Sequence, residues 1–197
     1  MGYLEHKKYF AISYKTGSDR WTHPATAAQG AKFIEKLPKG ALILDLGSGR
    51  GFFAKHLVEL GFQVIGIDFE EGIVEKANKS VLDWGLEGKL RFMVGDALDI
   101  PFSDVSFDAV CDFGLFETLF KEDWPTYVKE LGRVLKPGGI YFNVSLSAET
   151  GSFFEFSPKK SAEKDFAKYG IHYHFFDKEE MRNIFAGLLQ VVSWHTE

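Results

Sequence analysis

Three places in this 197-residue chain combine residue types and spacing suited to holding a polar ligand. In the first, Leu44-Asp45-Leu46-Gly47-Ser48-Gly49-Arg50-Gly51, three glycines alternate with other residues directly after an apolar run. Glycine lets the backbone turn tightly and approach a ligand with no Cβ in the way. The spacing is GxGxG rather than the GxGxxG of dinucleotide-binding loops, and an acid, Asp45, stands before it. The second is Asp68, which closes the run Gln63-Val64-Ile65-Gly66-Ile67. Its two oxygens can accept from both hydroxyls of a ribose at once, and Phe69 beside it can lie against the face of a base. The third is Gly95-Asp96-Ala97, after another apolar run. Taken singly, Asp96 reads as a turn or cap residue.

Proton transfer has weaker candidates. Asp112, at the end of the apolar run Phe107 to Cys111, is the best placed by position. Glu117 reads as an ordinary helix-start acid favoured by the helix dipole. His172 and His174 alternate as in a short extended segment, and Tyr14 sits in the N-terminal arm. None of them stands out as a base. The single cysteine, Cys111, excludes an intramolecular disulfide and a Cys-based zinc cluster; inside its apolar run it reads as a small buried hydrophobe.

These residues need elements to position them, and the hydrophobic pattern supplies an alternation of short strands and helices. Strands are predicted over 41–46, 63–68, 90–94, 107–111, 140–146 and 189–193. Phe53, Leu57 and Leu60 mark one helix face, and Ile73, Ala77, Val81 and Trp84 a second. A third helix, 123–135, has Asp123 as its cap and Pro125 in its first turn, with Tyr127, Leu131, Val134 and Leu135 facing inward. Lys136-Pro137-Gly138-Gly139 reads as a turn. Asp177-Lys178-Glu179-Glu180 has capping-box spacing and starts a late helix. Strands alternating with helices imply an α/β fold, a doubly wound, mostly parallel sheet with helices on both faces. Ligands then bind beyond the carboxyl ends of the strands. Outside this rhythm lie an aromatic, polar arm over 1–24, a helix from Pro24 to Leu37, and a long connection over 147–176 of a length that suits a lid.

Lys and Arg number 23 against 28 Asp and Glu, a net charge of −5. That balance offers no general attraction to nucleic acid or anionic lipid. The N-terminus has no apolar signal-peptide core, and no run approaches the length of a membrane span. The expectation is a soluble, cytoplasmic, single-domain protein, monomer or homodimer, over 1–197, with 1–38 an N-terminal arm and helix.

Taken together, the glycine loop with Asp45, the strand-end Asp68, Gly95-Asp96-Ala97, Pro101 to Asp108 with Asp112-Phe113-Gly114, and Leu135-Lys136-Pro137-Gly138-Gly139 resemble the class I S-adenosylmethionine-dependent methyltransferases. The resemblance runs from about residue 40 to 193. It implies a Rossmann-like methyltransferase fold and S-adenosyl-L-methionine as cofactor, with S-adenosyl-L-homocysteine as product. Gly47, Ser48, Gly49 and Gly51 would wrap the methionine part, and Asp45 would orient the loop and the cofactor's amino group. Asp68 and Phe69 would hold ribose and adenine, and Gly95, Asp96 and Ala97 the adenine edge. Asp112 would stand at the active-site mouth. The family's seventh strand is not matched, since the chain stops after the sixth.

Methyl transfer from a sulfonium is an in-line displacement with a neutral leaving group, so no metal is expected. The Asn/Asp-Pro-Pro-Tyr/Phe motif of nucleic-acid amino methylation is replaced here by Asp112-Phe113-Gly114-Leu115. A small-molecule acceptor is therefore expected, with no nucleic acid or membrane as partner. Tyr14, Trp21, Phe116 and Phe153, with Phe154, are the candidate walls of its site, and Arg20 a candidate for the cofactor carboxylate. Two other readings are a non-catalytic cofactor-binding scaffold or sensor, and a NAD(P)-dependent oxidoreductase.

Overall fold

A computed structural model describes residues 3–19, 36–149, 164–168 and 170–190. In chain order the elements are α1 (Tyr3–Thr16), β1 (Leu42–Leu46), α2 (Phe52–Glu59), β2 (Gln63–Asp68), α3 (Glu71–Trp84), β3 (Leu90–Val94) and β4 (Phe107–Phe113). Two single-turn 3₁₀ segments, Phe116–Thr118 and Lys121–Asp123, lead into α4 (Trp124–Val134). Then come β5 (Leu135–Val144), β6 (Asp165–Lys168), β7 (Ile171–His174) and α5 (Lys178–Ile184).

β1 to β5 form one sheet in the order β3-β2-β1-β4-β5, and every neighbouring pair is parallel. Parallel strands covered on both faces read as unbroken apolar runs, which is why β1 and β2 were legible as such. One face packs Ile43, Val64 and Cys111 against Phe53, Leu57, Ile73 and Ala77. The other packs Leu44, Leu46 and Val110 against Tyr127, Leu131, Val134 and Phe176. Tyr127, Leu131 and Val134 are fully buried, and each contributes about 1.5–3 kcal/mol through that burial.

Five features differ from the sequence expectation. The arm over 1–24 contains a helix, α1. Its inward positions His6, Ser13 and Tyr14 are buried, but two of the three are polar, so no apolar stripe announced it. β5 begins at Leu135, and Lys136 to Gly139 is a bulge inside it rather than a turn before it. Phe107 pairs with Leu135, and Ala109 already pairs with Ile140. Asp123 occupies the N-cap position of α4 without accepting a cap hydrogen bond, because the 3₁₀ turn before it already provides the entry. The connection over 147–176 contains an antiparallel hairpin, β6–β7. Leu189 and Gln190 are not in a strand. The rest of the 189–193 strand, most of the Pro24–Leu37 helix, and Arg20, Trp21, Phe153 and Phe154 lie outside the described residues. Asp177 does cap α5, accepting from the Glu180 N–H at 2.8 Å. No described helix is long and apolar enough to cross a membrane.

Candidate active site

The sheet order reverses between β1 and β4. Such a switch point opens a crevice beyond the strand ends, and a cavity of about 250 Å³ lies at these carboxyl ends. Gly47 follows β1, Ile67, Asp68 and Phe69 come from β2, and Gly95 and Ala97 follow β3. Phe113, Gly114, Leu115 and Glu117 come from the end of β4 and its turn, and Val144, Ser145 and Leu146 from that of β5. α1 brings His6, Lys7, Phe10 and Tyr14, and β7 brings Tyr173.

The glycine loop folds against β2. Ser48 N–H donates to the Ile67 carbonyl at 3.0 Å. Gly49 N–H donates to Asp68 Oδ2 at 3.0 Å, and Glu70 N–H to Asp68 Oδ1 at 3.1 Å. Gly47 and Gly51 have φ of +67° and +80°, the left-handed region in which a side chain is strained. A Cβ on Gly47 would stand 2.5 Å from Leu115 Cδ1, and one on Gly51 would enter the Phe92 ring. Burial raises Asp68 to about 6 despite the two N–H donors.

α1 crosses this cavity as a roof. Lys7 Nζ donates to Asp96 Oδ2 at 2.7 Å and lies 5.2 Å from the Phe69 ring centre. Phe10 meets Phe69 edge-on at 5.8 Å. His6 Nε2 accepts from the His172 N–H at 3.0 Å, tying the roof to β7. Burial and the neighbouring His172 lower His6 to about 4, so it is neutral near pH 7. At the far end of the helix Arg50 grips Asp19 with two hydrogen bonds, at 2.6 and 2.8 Å.

Residues 43–139 match the family model for a methyltransferase domain. The chain carries a class I S-adenosylmethionine-dependent methyltransferase domain. A sterol 24-C-methyltransferase of Aspergillus fumigatus is 35% identical over 142 residues, covering 65% of this chain and 37% of that protein. A ubiquinone/menaquinone biosynthesis C-methyltransferase of Pseudomonas fluorescens is 35% identical over 117 residues, covering 57% of this chain and 44% of that one. The chain thus spans less than half the length of these relatives. The crystal structure of Burkholderia thailandensis 1,6-didemethyltoxoflavin-N1-methyltransferase, with 1,6-didemethyltoxoflavin and S-adenosylhomocysteine bound, superposes with a TM-score of 0.73 at 22% identity. It covers 92% of this chain and 74% of that one, and a likeness at that identity speaks for the fold.

The methyltransferase domain's residues fit S-adenosylmethionine. Asp45 Oδ2 and Ser48 Oγ are buried with no hydrogen-bond partner among the described residues; neither lines the cavity, but they belong to the stretch that reaches it at Gly47. Burial, with Asp112 and Asp68 nearby, holds Asp45 well above the usual carboxylate range, so a cation beside it would be strongly favoured. Asp45 is 1% exposed and lies beneath the loop. Asp96 accepts from Leu98 N–H and from Lys7, at the edge of the wall formed by Gly95 and Ala97.

Asp45, Ser48, Gly49, Gly51 and Asp96 lie beside or behind the residues that line the cavity rather than on its wall, and two other expected site residues are buried in the core. Asp112 is fully buried and off the cavity wall, because alternation along β4 turns it into the core and Phe113 toward the cavity. Its carboxylate accepts from Leu115 N–H at 2.8 Å, Phe116 N–H at 3.0 Å and Tyr127 Oη at 2.8 Å, with Tyr141 Oη and Asn143 Nδ2 at 3.2 Å. It shapes the turn after β4 and has no path to an acceptor. Phe116 is likewise in the core, stacked on Phe176 at 4.9 Å and on Tyr127 at 5.2 Å. Tyr14 does line the cavity, its Oη 3.1 Å from where a Gly49 Cβ would stand.

His174 is buried between Asp165 and Glu180, at 2.8 and 3.0 Å, away from the cavity wall. The His172 ring stacks on Phe120 at 4.9 Å. The residue that sequence reasoning undervalued is Glu117. It lies on the cavity wall, 9% exposed, and burial with Asp112 nearby pushes it up to about 8 against the pull of the Leu146 N–H. Its signal in the sequence was an acid set in the apolar stretch Phe113 to Phe120.

Proposed function

We propose that this protein transfers a methyl group from S-adenosylmethionine to a small-molecule acceptor. The observation that carries the reading is the continuity of one cavity. It has a glycine cradle and a ribose-type carboxylate at one end and a pocket of rings and aliphatic side chains at the other. Bound S-adenosylmethionine supplies a methyl on a sulfonium that a nucleophile displaces in line. The protein's part is alignment and exclusion of water, which can supply roughly 7–11 kcal/mol at best. Gly47, Gly49 and Gly51 offer backbone without side chains, Asp45 and Ser48 buried polar atoms without a partner among the described residues, and Asp68 an acceptor pair for a ribose. Asp96 would take the adenine amine. α1 closes the roof.

The acceptor pocket is formed by Phe113, Leu115, Leu119, Leu146 and Tyr173. Relatives named for sterol and quinone methylation support a small ring-bearing acceptor. An accessible pocket beside the cradle favours an enzyme over a non-catalytic scaffold. The GxGxG spacing favours S-adenosylmethionine over a nicotinamide cofactor.

Calorimetric titration with S-adenosylmethionine and S-adenosylhomocysteine tests this reading. Wild type should bind both, and Asp68→Ala should weaken both at least tenfold. A folded wild type that binds neither ligand sinks the reading.

A further inference from the structure

We propose that Glu117 takes the acceptor's proton during methyl transfer and that the acceptor is a ring-borne hydroxyl held in the apolar half of the cavity; this rests on the methyl-transfer reading above. Glu117 is carried by the turn after β4, which is held rigidly from behind. Asp112 binds the Leu115 and Phe116 N–H groups, Phe116 is locked in the core, and Thr118 Oγ1 donates to the Leu115 carbonyl at 2.7 Å. Of the Glu117 oxygens, Oε2 accepts the Leu146 N–H at 2.5 Å. Oε1 has no hydrogen-bond partner among the described residues and stands 3.9 Å from where a Gly114 Cβ would be. A carboxylate fixed through one oxygen, with the other directed at a cavity, is placed to receive a proton.

The other titratable groups on the wall are engaged or unsuited. His6 Nε2 is taken by the His172 N–H, and Lys7 by Asp96. Asp68 holds two loop N–H groups. Tyr14 and Tyr173 carry phenol protons, and burial with Glu117 nearby pushes Tyr173 up to about 12. Asp112 lies behind the wall. Glu117, at about 8, both accepts and releases protons near neutrality. The rings of Phe113 and Tyr173 suit a flat, apolar acceptor. In the step, the acceptor oxygen gains the methyl carbon as its proton passes to Glu117 Oε1. The electron pair of the broken S–C bond stays on sulfur, and the proton leaves to water after product release.

The test uses two ligands that differ by one methyl and one positive charge. The Glu117 carboxyl is followed by carbon NMR, assigned by its loss in Glu117→Gln, or in Glu117→Asp if the Gln variant does not fold. S-adenosylmethionine should lower its titration midpoint by about one to three pH units, and S-adenosylhomocysteine should leave it unmoved. Equal midpoints in the two complexes overturn the proposal. The probe acceptors are phenol, catechol and 1-naphthol. Wild type should methylate at least one, with a rate rising through the midpoint of the cofactor complex. Glu117→Gln should lose about 10²-fold or more in kcat and the pH rise, with cofactor affinity kept. An unchanged rate in the variant, or no methylation of any probe by wild type, overturns it. Failure to bind S-adenosylmethionine at all would instead sink the reading beneath it.

Discussion

Replacing Glu117 by Gln should stabilise the ligand-free protein, and by an amount that grows with pH. Burial raises the Glu117 carboxyl from 4.5 to about 8. Between those values the folded chain keeps a proton that the unfolded chain has lost. Stability then falls as pH rises, by about 1.4 kcal/mol per unit. The contribution is fully present below 4.5 and gone above about 8. Over pH 5 to 8 this amounts to roughly 3–4 kcal/mol. Gln carries no such proton, yet its amide oxygen can still accept the Leu146 N–H that Oε2 accepts now. Urea unfolding of both proteins at pH 5, 6, 7 and 8 measures the difference. Asp45, Asp68 and Asp112 are also raised by burial, but they titrate in both proteins and largely cancel. Near pH 5 the two should be almost equally stable, and at pH 8 the variant should be ahead. A difference that stays constant across the range would refute the premise that Glu117 is buried without a compensating cation.

Lys7→Met should remove the ion pair at Asp96 Oδ2, leaving an adenine amine one competitor fewer for that carboxylate. A partly exposed pair is worth up to about 1 kcal/mol, so S-adenosylhomocysteine binding should tighten up to about fivefold, read by calorimetry. Weaker binding would instead make Lys7 part of the ligand's roof. Gly51→Ala should cost roughly 2–4 kcal/mol, from the left-handed backbone and the clash with Phe92; an unchanged melting temperature would contradict the loop geometry. Asp112→Ala strands the Leu115 and Phe116 N–H groups, each about 1–3 kcal/mol when buried unpaired, while the Tyr127 hydroxyl keeps the Tyr141 hydroxyl at 3.2 Å. The variant should fail as a folding defect at low pH, where no relief of buried charge offsets that loss. Native-like stability at pH 5 would count against its structural role.

The sheet was legible because its strands are buried on both faces and read as unbroken apolar runs between glycine-rich turns. The cofactor end was legible for a related reason: a backbone that must approach a ligand needs glycines at fixed offsets, and these are visible as letters. Gly47, Asp68 and Gly95 accordingly came out together on one cavity wall. α1 was not legible as a helix, because its inward face mixes Phe10 and Tyr14 with the polar His6, Lys7 and Ser13, so the hydrophobic period is weak. The hairpin β6–β7 was half visible, in the alternation of His172, Tyr173 and His174.

Asp112, expected at the active-site mouth from its position in the sequence, lies off the cavity wall because of its place along β4. Strand alternation decides which of two neighbours faces a cavity, and an acid at a strand end can fall on either side. Asp112 points into the core, where five donors surround it. The chain then needs the turn Gly114 to Thr118 to bring a second acid round to the wall. Sequence spacing shows both acids and not the turn between them. Asp112 shapes the turn by holding the N–H groups of Leu115 and Phe116, and the turn carries Glu117 to the cavity. On the proposed reading the two carboxylates divide one task, the first fixing the backbone and the second meeting the acceptor. Substitutions at the first should reach chemistry only through the position of the second.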